Sequence, residues 1–465
     1  MYLQKRFIWI YLLLFSSVSW GQSTVNKYLD KALPPEWMEN SFQQTLPVDD
    51  QWWKAFDDPL LDSLISTAVK QNYSVLTALD RMEMAKANLN IQRGDYYPTL
   101  GLNAGWTKQQ TSGNTGSLPQ TRQQYFNTTL SSSWEIDVFG SIRQRVKAQK
   151  ESFAASREDY NATMVSLCAE VASAYINLRE LQQELEVVKK NCVSQEAVLH
   201  ITEVRYNTGL VSKLDVAQAK SVYYSTKASI PVIEAGILQN INALAVLLGA
   251  YPQLLYPVLE PSANLPEYME LVGTGIPADL LRRRPDIRGA ERQVNAQAAL
   301  VGASRADWFP KFLLNGSVGY ASRDLKNLVK GSSLTYEIAP TININLFQGT
   351  KLINATQLAK AQLSESVNQF NQTVLTAVQE VENAMSSYRN SIKQIVELRE
   401  VLNQGKETLT LSLDLYKQGL SPFQNVLDAQ RSLLSYENSL VEAKGQSLLY
   451  LIQLYKALGG GWQNQ

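Results

Sequence analysis

Few residues of this chain could carry out covalent chemistry or bind a metal ion. The 465 residues include one histidine, His200, and two cysteines, Cys168 and Cys192. A structural zinc site takes about four such ligands, which argues against a His/Cys metal site within one chain. The two cysteines are 24 residues apart in one predicted helix. This separation of about 36 Å excludes a disulfide between them. No nucleophile, base and orienting residue form a recognisable set, so we expect no enzymatic activity and no cofactor.

The charges of the chain are balanced. Lys and Arg number 43, and Asp and Glu also number 43, so the formal net charge at pH 7 is zero. A protein that binds nucleic acid through bulk positive charge needs a surplus of Lys and Arg, so this class is excluded. Hydrophobic residues make up 45% of the chain, which is enough for a buried core.

The N-terminus predicts export from the cytoplasm. Lys5 and Arg6 precede the apolar stretch 7–15, and small residues follow as far as Gly21. This pattern is typical of a secretory signal peptide over residues 1–21, and the stretch is too short to cross a bilayer as a helix. A buried core strand is the alternative interpretation. No cysteine lies near the cleavage site to accept an acyl chain. No later run of 18 or more apolar residues occurs, so a membrane location would require a β-barrel.

The mature chain contains an internal repeat. We assign residues 22–59 to an N-terminal periplasmic segment, 60–249 to repeat 1, 277–459 to repeat 2 and 460–465 to a C-terminal tail. A proline-rich connector, 250–276, joins the repeats. Matching residues recur in the two halves at a nearly constant separation along the chain. Such a steady separation predicts a duplicated structural unit. The recurring residues are Tyr206, Gly209 and Leu210 as Tyr416, Gly419 and Leu420, Leu248-Gly249 as Leu458-Gly459, and Asp95-Tyr96-Tyr97-Pro98 as Asp307-Trp308-Phe309-Pro310.

Each repeat contains a very long helical hairpin, predicted at about 141–249 and 350–458. Neither Pro nor Gly occurs between residues 141 and 208, so a single helix of about 100 Å is expected there. Gly209 and Gly419 end the long helices at the hairpin turns. Apolar residues spaced by three and four form a seam of the coiled-coil type in both repeats. The seam residues are Met164, Cys168, Val171, Tyr175, Leu178, Leu181, Leu185, Val188 and Cys192, with Val374, Val378, Val381, Met385, Tyr388, Ser391, Ile395, Leu398 and Leu402.

Each repeat also contains a strand hairpin, predicted at about 99–138 and 312–347. Apolar and polar residues alternate with a period of two, for example Leu130 with Ser131, as in a strand with one apolar and one polar face. We expect the even-numbered residues to face lipid; a half-buried soluble hairpin is the alternative. Four strands cannot close a barrel, and open edges are not tolerated in lipid. Twelve strands from three chains is therefore the smallest conduit.

Five motifs together are specific, and they are Asp50–Leu64, Leu280–Ile287, Asp307–Pro310, Ala339–Phe347 and Tyr416–Gln430. They resemble the TolC-like outer-membrane efflux family, in the branch that works with resistance-nodulation-division pumps. The resemblance extends over nearly the whole mature chain. It implies a mixed α and β membrane protein, a homotrimer with a 12-stranded transmembrane β-barrel continued by a long periplasmic α-helical barrel. It also implies a periplasmic adaptor (membrane fusion) protein and an inner-membrane resistance-nodulation-division pump as partners, and no catalytic activity.

The resemblance also assigns roles to residues near the hairpin tips. In the family a ring of acidic residues constricts the periplasmic mouth, and the matching positions here are Asp428 and Asn425. Asn425 departs from the pattern, because many members carry an acid there. Three copies of Asp428 would favour cations, whereas an ordinary exposed aspartate is the plain alternative. Tyr416 and Asp215 match positions that hydrogen-bond the closed tips together, as a phenol and a carboxylate can.

Two further motifs have physical interpretations of their own. Each tip carries a leucine directly after its glycine, where solvent alone would favour a polar residue, so we expect Gly209-Leu210 and Gly419-Leu420 to contact the adaptor. Pro285 and Asp286 fit the first turn of a helix. We interpret Arg282–Arg284 as a solvated charge run rather than a salt-bridge cluster.

Together these features predict an outer-membrane exit duct of a tripartite efflux pump, which passively conducts drugs or other small molecules from periplasm to exterior. Energy would come from the partner pump. A type I secretion duct for polypeptides is the alternative within the same class. An exported coiled-coil scaffold without a pore is the alternative from another class, and a secreted enzyme is the least favoured.

Overall fold

The computed structural model describes residues 51–112, 114, 122–266, 268 and 283–461. Four predicted features lie wholly or partly outside these described residues. They are the signal peptide, residues 22–50 of the N-terminal segment, most of the connector residues that follow Leu265, and Arg282. The chain divides into two compact units. The sheet unit is Arg81–Arg157 with Gly289–Asn371, and the helical unit consists of the remaining described residues.

The described residues form eight α-helices and four β-strands, so the predicted mixture of helix with four strands is confirmed. Three short 3-10 helices lie at Trp52–Phe56, Leu325–Asn327 and Gly331–Ser333. The strands are β1 (Thr99–Gln110), β2 (Arg122–Ile136), β3 (Lys311–Ser322) and β4 (Leu334–Asn343). The helices are α1 (Pro59–Gln71), α2 (Tyr73–Gly94), α3 (Ser141–Asn207), α4 (Lys213–Leu247), α5 (Pro252–Leu259), α6 (Pro285–Ala306), α7 (Lys351–Lys417) and α8 (Phe423–Ala457).

The sheet unit contains one antiparallel sheet with the strand order β1-β2-β3-β4. Cross-strand pairing places Leu102, Leu130, Val318 and Tyr336 in one row on the face of the even-numbered residues. All four side chains are exposed. The opposite face carries the polar, odd-numbered residues because side chains alternate along each strand. The sheet therefore exposes one apolar and one polar face.

The last strand ends earlier than its alternating sequence predicts. The alternation continues to Leu346, but β4 ends at Asn343, which pairs with the first residue of β3, Lys311. Pro310 precedes Lys311 and has no N–H to continue the ladder. Ile344 and Leu346 are exposed and lie beyond the strand, so the prediction of a hairpin reaching residue 347 is wrong at this end.

Proline marks the change from helix to strand in both halves. Pro98 precedes β1 and Pro310 precedes β3, because proline disfavours helical geometry in the preceding residue.

The first turns of the long helix α3 contact Asp307 within the sheet unit. Asp307 accepts a hydrogen bond from the Ser141 hydroxyl at 2.8 Å and pairs with Arg145 at 2.7 Å.

The core of the helical unit is built on the predicted seams of α3 and α7. Tyr175 and Tyr388 are almost completely buried in it. Trp52 from the first 3-10 helix stacks on Tyr455 of α8, with ring centroids 5.1 Å apart. Burial of each large apolar side chain contributes about 1.5–3 kcal/mol. The buried seam residues include Cys168, Val171, Leu178, Val188, Val374, Val381, Met385 and Ile395.

Among the described residues, α4 is the one helix long and apolar enough to cross a membrane by length and composition. A single helix of this kind is weak evidence for a span, since core helices meet the same criterion. Glu234 of α4 pairs with Lys189 of α3 at 3.6 Å, and Gly236 packs against Leu181 of α3. These contacts explain α4 as one arm of a helical hairpin.

The interpretation of Arg284 as part of a solvated charge run is wrong. Its side chain is buried and donates to Asp286 at 2.8 Å, to Glu380 at 2.7 Å and to the Ala457 carbonyl oxygen at 2.8 Å. A buried guanidinium needs such partners, because an unpaired buried charge is strongly destabilising. The alternative, a salt-bridge cluster, is correct for this residue, and Arg283 is the exposed neighbour.

Candidate functional site at the helical hairpin tips

The helical unit contains two hairpin turns with the same backbone geometry. The α3–α4 turn contains Gly209 at φ 77°, and the α7–α8 turn contains Gly419 at φ 75°. The amide of each glycine donates to the carbonyl three residues earlier, and the next amide donates to the carbonyl five residues earlier. This is the Schellman arrangement, in which the left-handed residue is usually glycine because side chains at Cβ disfavour positive φ.

Each turn presents a leucine to solvent. Leu210 is 68% exposed and Leu420 is 71% exposed. Their backbone amides are used in the turns, at 2.9 Å from the carbonyl oxygens of Arg205 and Leu415. The backbone therefore holds two apolar side chains outward at fixed positions, where a partner protein could bury them.

A small apolar cluster lies behind the turns. Tyr416 of α7 is part of it, and its ring centroid is 5.0 Å from that of Phe423 on α8. The cluster packs α3 and α4 against α7 and α8, so the two hairpins are held together near their tips. Its buried members are Val198, Ala219, Val222, Tyr416, Phe423, Val426 and Leu427.

Arg205 makes a direct polar connection between the two hairpins near their tips. Its Nη1 donates to the carbonyl oxygens of Tyr416 at 2.9 Å and of Lys417 at 2.7 Å. Its guanidinium also covers the Tyr416 ring, 4.7 Å from the centroid. The last carbonyls of a helix have no partners within the helix and carry partial negative charge. The Arg205 guanidinium at the end of α3 therefore gives hydrogen-bond partners to the last carbonyl oxygens of α7.

Sequence reasoning did not identify Arg205. The one available signal was a difference between the repeats, because the position 210 residues later is Leu415. A charged residue that replaces an apolar residue beside an otherwise matching turn indicates a contact that the other repeat does not need.

The predicted latch is not formed as a hydrogen bond in this structure. Asp215 is the third residue of α4, and its Oδ1 accepts from the Ser212 hydroxyl at 3.2 Å. The Tyr416 side chain is 3% exposed, and its hydroxyl makes no hydrogen bond to any described group. The backbone amide of Asp215 also donates to the Ser212 hydroxyl oxygen, at 3.4 Å, so both groups of the aspartate contact the N-cap residue of α4.

The electrostatic surroundings of Tyr416 nevertheless include the latch partner. Burial raises the pKa of Tyr416. The Thr202 hydroxyl and the Arg205 guanidinium lower this pKa, whereas the Asp215 carboxylate raises it. The charge of Asp215 thus acts on the phenol without a hydrogen bond, and a latch in an assembled state stays a prediction.

The two predicted ring residues lie one turn apart on the exposed face of α8. Asn425 donates to the Ser421 hydroxyl at 2.9 Å, and Asp428 accepts from Gln424 at 3.0 Å. Arg431 also lies 3.9 Å from Asp428, and both side chains are more than half exposed. A surface pair of this kind is weak but reduces the local negative charge.

The residues first considered for chemistry are dispersed. His200 lies on the exposed face of α3, and Cys168 and Cys192 are buried free cysteines. Burial raises the pKa of Cys168 to about 12, so its thiol stays protonated. Over the residues that the structure describes, no group of three or more His, Cys, Asp or Glu side chains could hold a metal ion.

Comparisons with known proteins agree with this architecture. The sequence pattern of the family described as "Outer membrane efflux protein" matches residues 64–250 and again 276–460. The toluene efflux pump outer membrane protein TtgF of Pseudomonas putida is 30% identical over 422 residues, 90% of this chain and 87% of that protein. The solvent efflux pump outer membrane protein SrpC of Pseudomonas putida is 31% identical over 425 residues, 91% of this chain and 89% of that protein.

Solved structures lead to the same assignment. The outer-membrane channel OprN superimposes with a TM-score of 0.86 at 27% identity, covering 93% of this chain and all of that chain. The family match extends over most of the sequence, and the relatives match along nearly their whole length. The chain belongs to the outer membrane efflux protein family and is an outer-membrane protein that extends into the periplasm.

Proposed function

We propose that three copies of this chain form a trimer with a 12-stranded transmembrane barrel and a periplasmic helical barrel. The observation that carries the proposal is the sheet itself. β1 and β4 each have one unpaired edge among the described strands, and the even-numbered face is apolar and exposed. Unpaired strand edges are not tolerated in lipid, so edge strands of neighbouring copies must pair. Four strands from each of three copies leave a lumen.

The trimer acts as the exit duct of a tripartite efflux pump. It conducts drugs or other small molecules passively from the periplasm to the exterior and has no catalytic activity of its own. The names of TtgF and SrpC, which are pump components for toluene and solvent, support this role. An inner-membrane resistance-nodulation-division pump supplies energy, and a periplasmic adaptor protein connects the pump to the tips.

Duplication of an ancestral hairpin unit explains the architecture of the chain. The two long helices, α3 and α7, both contain 67 residues, and the returning helices α4 and α8 both contain 35. The two separate matches to one family pattern also support the repeat.

Disulfide trapping tests the trimer. Asn103→Cys in β1 is combined in turn with Thr335→Cys, Ala339→Cys or Thr341→Cys in β4, in a chain with Cys168→Ala and Cys192→Ala. Two other strands separate β1 from β4 within one chain, a distance of about 14 Å that excludes an internal bond. We expect one pair to give a covalent ladder that ends at three chains. The single-cysteine variants are the controls, and a ladder that ends at another number contradicts the trimer.

The leucines at the tips test the connection to the adaptor. Changing Leu210 and Leu420 together to Asp is expected to abolish drug resistance in cells and to leave the trimer intact. Leu214→Asp, a nearby exposed leucine on α4, is the matched control. Purification of the crosslinked complex identifies the inner-membrane partner, and a polypeptide transporter in that complex would favour the secretion duct instead.

A further inference from the structure

We propose that Glu337 makes the polar face of the sheet a binding site for multivalent organic cations on their way through the duct. The proposal rests on the proposed function, because it places three copies of this face around one lumen. The site at Glu337 is distinct in sequence from the predicted acidic ring at Asp428. It defines the class of solute that the barrel favours.

Three neighbouring rows of the polar face consist of small, hydroxyl-bearing and amide residues and one carboxylate. The central row runs Gly101, Ser131, Ser317 and Glu337 across the four strands. The rows on either side are Thr99, Ser133, Asn315 and Ala339, and Asn103, Thr129, Gly319 and Thr335. Glu337 is the one charged residue in these twelve positions.

A cavity of about 480 Å³ lies against these rows. Small side chains create this space, since Gly101 and Ala339 contribute little volume. The cavity is large enough for a drug-like fragment, because ligand pockets begin at about 300 Å³. Its polar lining residues from the odd-numbered face are Thr99, Ser131, Ser133, Asn315, Ser317 and Glu337.

The carboxylate of Glu337 has no ion-pair partner among the residues that the structure describes, and its side chain is exposed. The other acid on this face differs, because Glu135 pairs with Lys311 at 3.3 Å. Glu135 and Lys311 together add no net charge. The field on this part of the polar face therefore comes from Glu337.

The residues that line the cavity favour solutes that carry positive charge and donate hydrogen bonds. An ionised carboxylate is an acceptor only, and the serine hydroxyls and the Asn315 amide can accept as well as donate. A protonated polyamine or aminated sugar presents N–H donors to such a surface, and charge-assisted bonds are the stronger ones. Anionic solutes meet three like charges in the proposed lumen and are disfavoured.

Single-channel block tests the site. The purified full-length trimer is inserted into a planar bilayer from one compartment. Hexaamminecobalt(III), a trivalent cation with N–H donors, is then added to the other compartment. We expect Glu337→Gln to raise the half-blocking concentration about fivefold or more, because it removes the local charge in three copies. Glu337→Asp keeps the charge and is expected to retain block. Asp324→Asn, which removes an exposed acid outside the three rows, is expected to change block less than about twofold.

The outcomes separate the site from the duct. Equal block of wild-type and Glu337→Gln channels overturns the site and leaves the duct standing. An equal rise for Asp324→Asn shows an effect of general surface charge and also overturns the site. No conductance from correctly assembled wild-type trimers overturns the duct, and the site with it. Heat-modifiable migration of the trimer confirms that each variant is assembled before it is measured.

Discussion

The guanidinium of Arg205 lies over the ring of Tyr416, 4.7 Å from its centroid, and bonds the carbonyl oxygens at the end of α7. One residue at the end of the first long helix thus holds the end of the second. The contact combines a cation over an aromatic face with charge-assisted hydrogen bonds, which are stronger than neutral ones. Any separation of the two hairpin tips must break it.

Loss of Arg205 is expected to loosen the tips. Arg205→Ala removes hydrogen bonds from a charged donor, worth about 1.5–3 kcal/mol. We expect faster amide hydrogen exchange at Gln418–Leu420 and higher single-channel conductance without partner proteins. Arg205→Lys keeps the charge without the planar fork and should be intermediate. Lys417→Ala, which removes an exposed positive charge one residue after Tyr416, is the control and should leave exchange and conductance unchanged.

The Tyr416 hydroxyl provides a separate test of the latch. Because it makes no hydrogen bond here, Tyr416→Phe is expected to leave conductance unchanged and stability within about 0.5 kcal/mol. Asp215→Ala is expected to weaken the start of α4, since it loses the Ser212 contact. If each single variant raises conductance and the double variant conducts no more than either of them, the two side chains do latch the assembled tips.

Arg431 is expected to oppose Asp428 in ion selectivity. The two side chains are 3.9 Å apart and exposed, so their separation costs the fold about 0–1 kcal/mol. In the proposed trimer, Arg431→Ala increases cation preference and Asp428→Ala decreases it, as reversal potentials in a salt gradient would show. Gln424→Ala, which removes the other Asp428 contact without a charge change, is the control. An unchanged selectivity for Asp428→Ala would move the ring elsewhere.

The two faces of β2 are expected to respond differently to charge. Leu130→Arg places a cation on the apolar face and is expected to cost about 2–4 kcal/mol if the residue lies near the bilayer midplane. Ser131→Arg places the same cation on the polar face, where water is available. Folding into vesicles, followed by urea titration, measures both free energies. Equal losses would contradict the assignment of the even-numbered face to lipid.

We expect the ionisation of Glu180 to lower the free energy of unfolding as pH rises. Burial first, and then the carboxylates of Glu442 and Glu184, raise its pKa to about 7 from the usual 4.5. Between these two values the folded chain holds more protons than the unfolded chain, so stability decreases as pH rises and is lowest above pH 7. The cost is at most about 1.4 kcal/mol per pKa unit and less after solvent screening.

Melting temperatures at two pH values check this effect. Glu180→Gln is expected to raise the Tm at pH 8 and to leave it unchanged near pH 4, where the wild-type carboxyl is already neutral. Glu397→Gln, an exposed carboxylate on α7, is the matched control. A gain that is equal at both pH values would show that packing, and not ionisation, is responsible.

Local sequence signals determined the elements of this protein. The absence of Pro and Gly from residue 141 to 208, the seam spaced by threes and fours, and Gly209 together define α3 and its turn, because each acts within a few residues. Alternation with period two and Pro98 define β1 and its first residue for the same reason. The family motifs extended these local signals to the outer membrane and to efflux.

Contacts between distant residues were decided only by the tertiary structure. Arg284 has the sequence context of a solvated charge, yet Glu380 and the Ala457 carbonyl, both far along the chain, make it a buried ion pair. β4 ends at Asn343 because its partner β3 begins after Pro310, which the sequence of β4 does not contain. Arg205 of α3, and not Asp215, hydrogen-bonds Tyr416 of α7 through its carbonyl oxygen. Such pairings depend on which helices and strands become neighbours, and local spacing carries no information about partners that lie far away in the sequence.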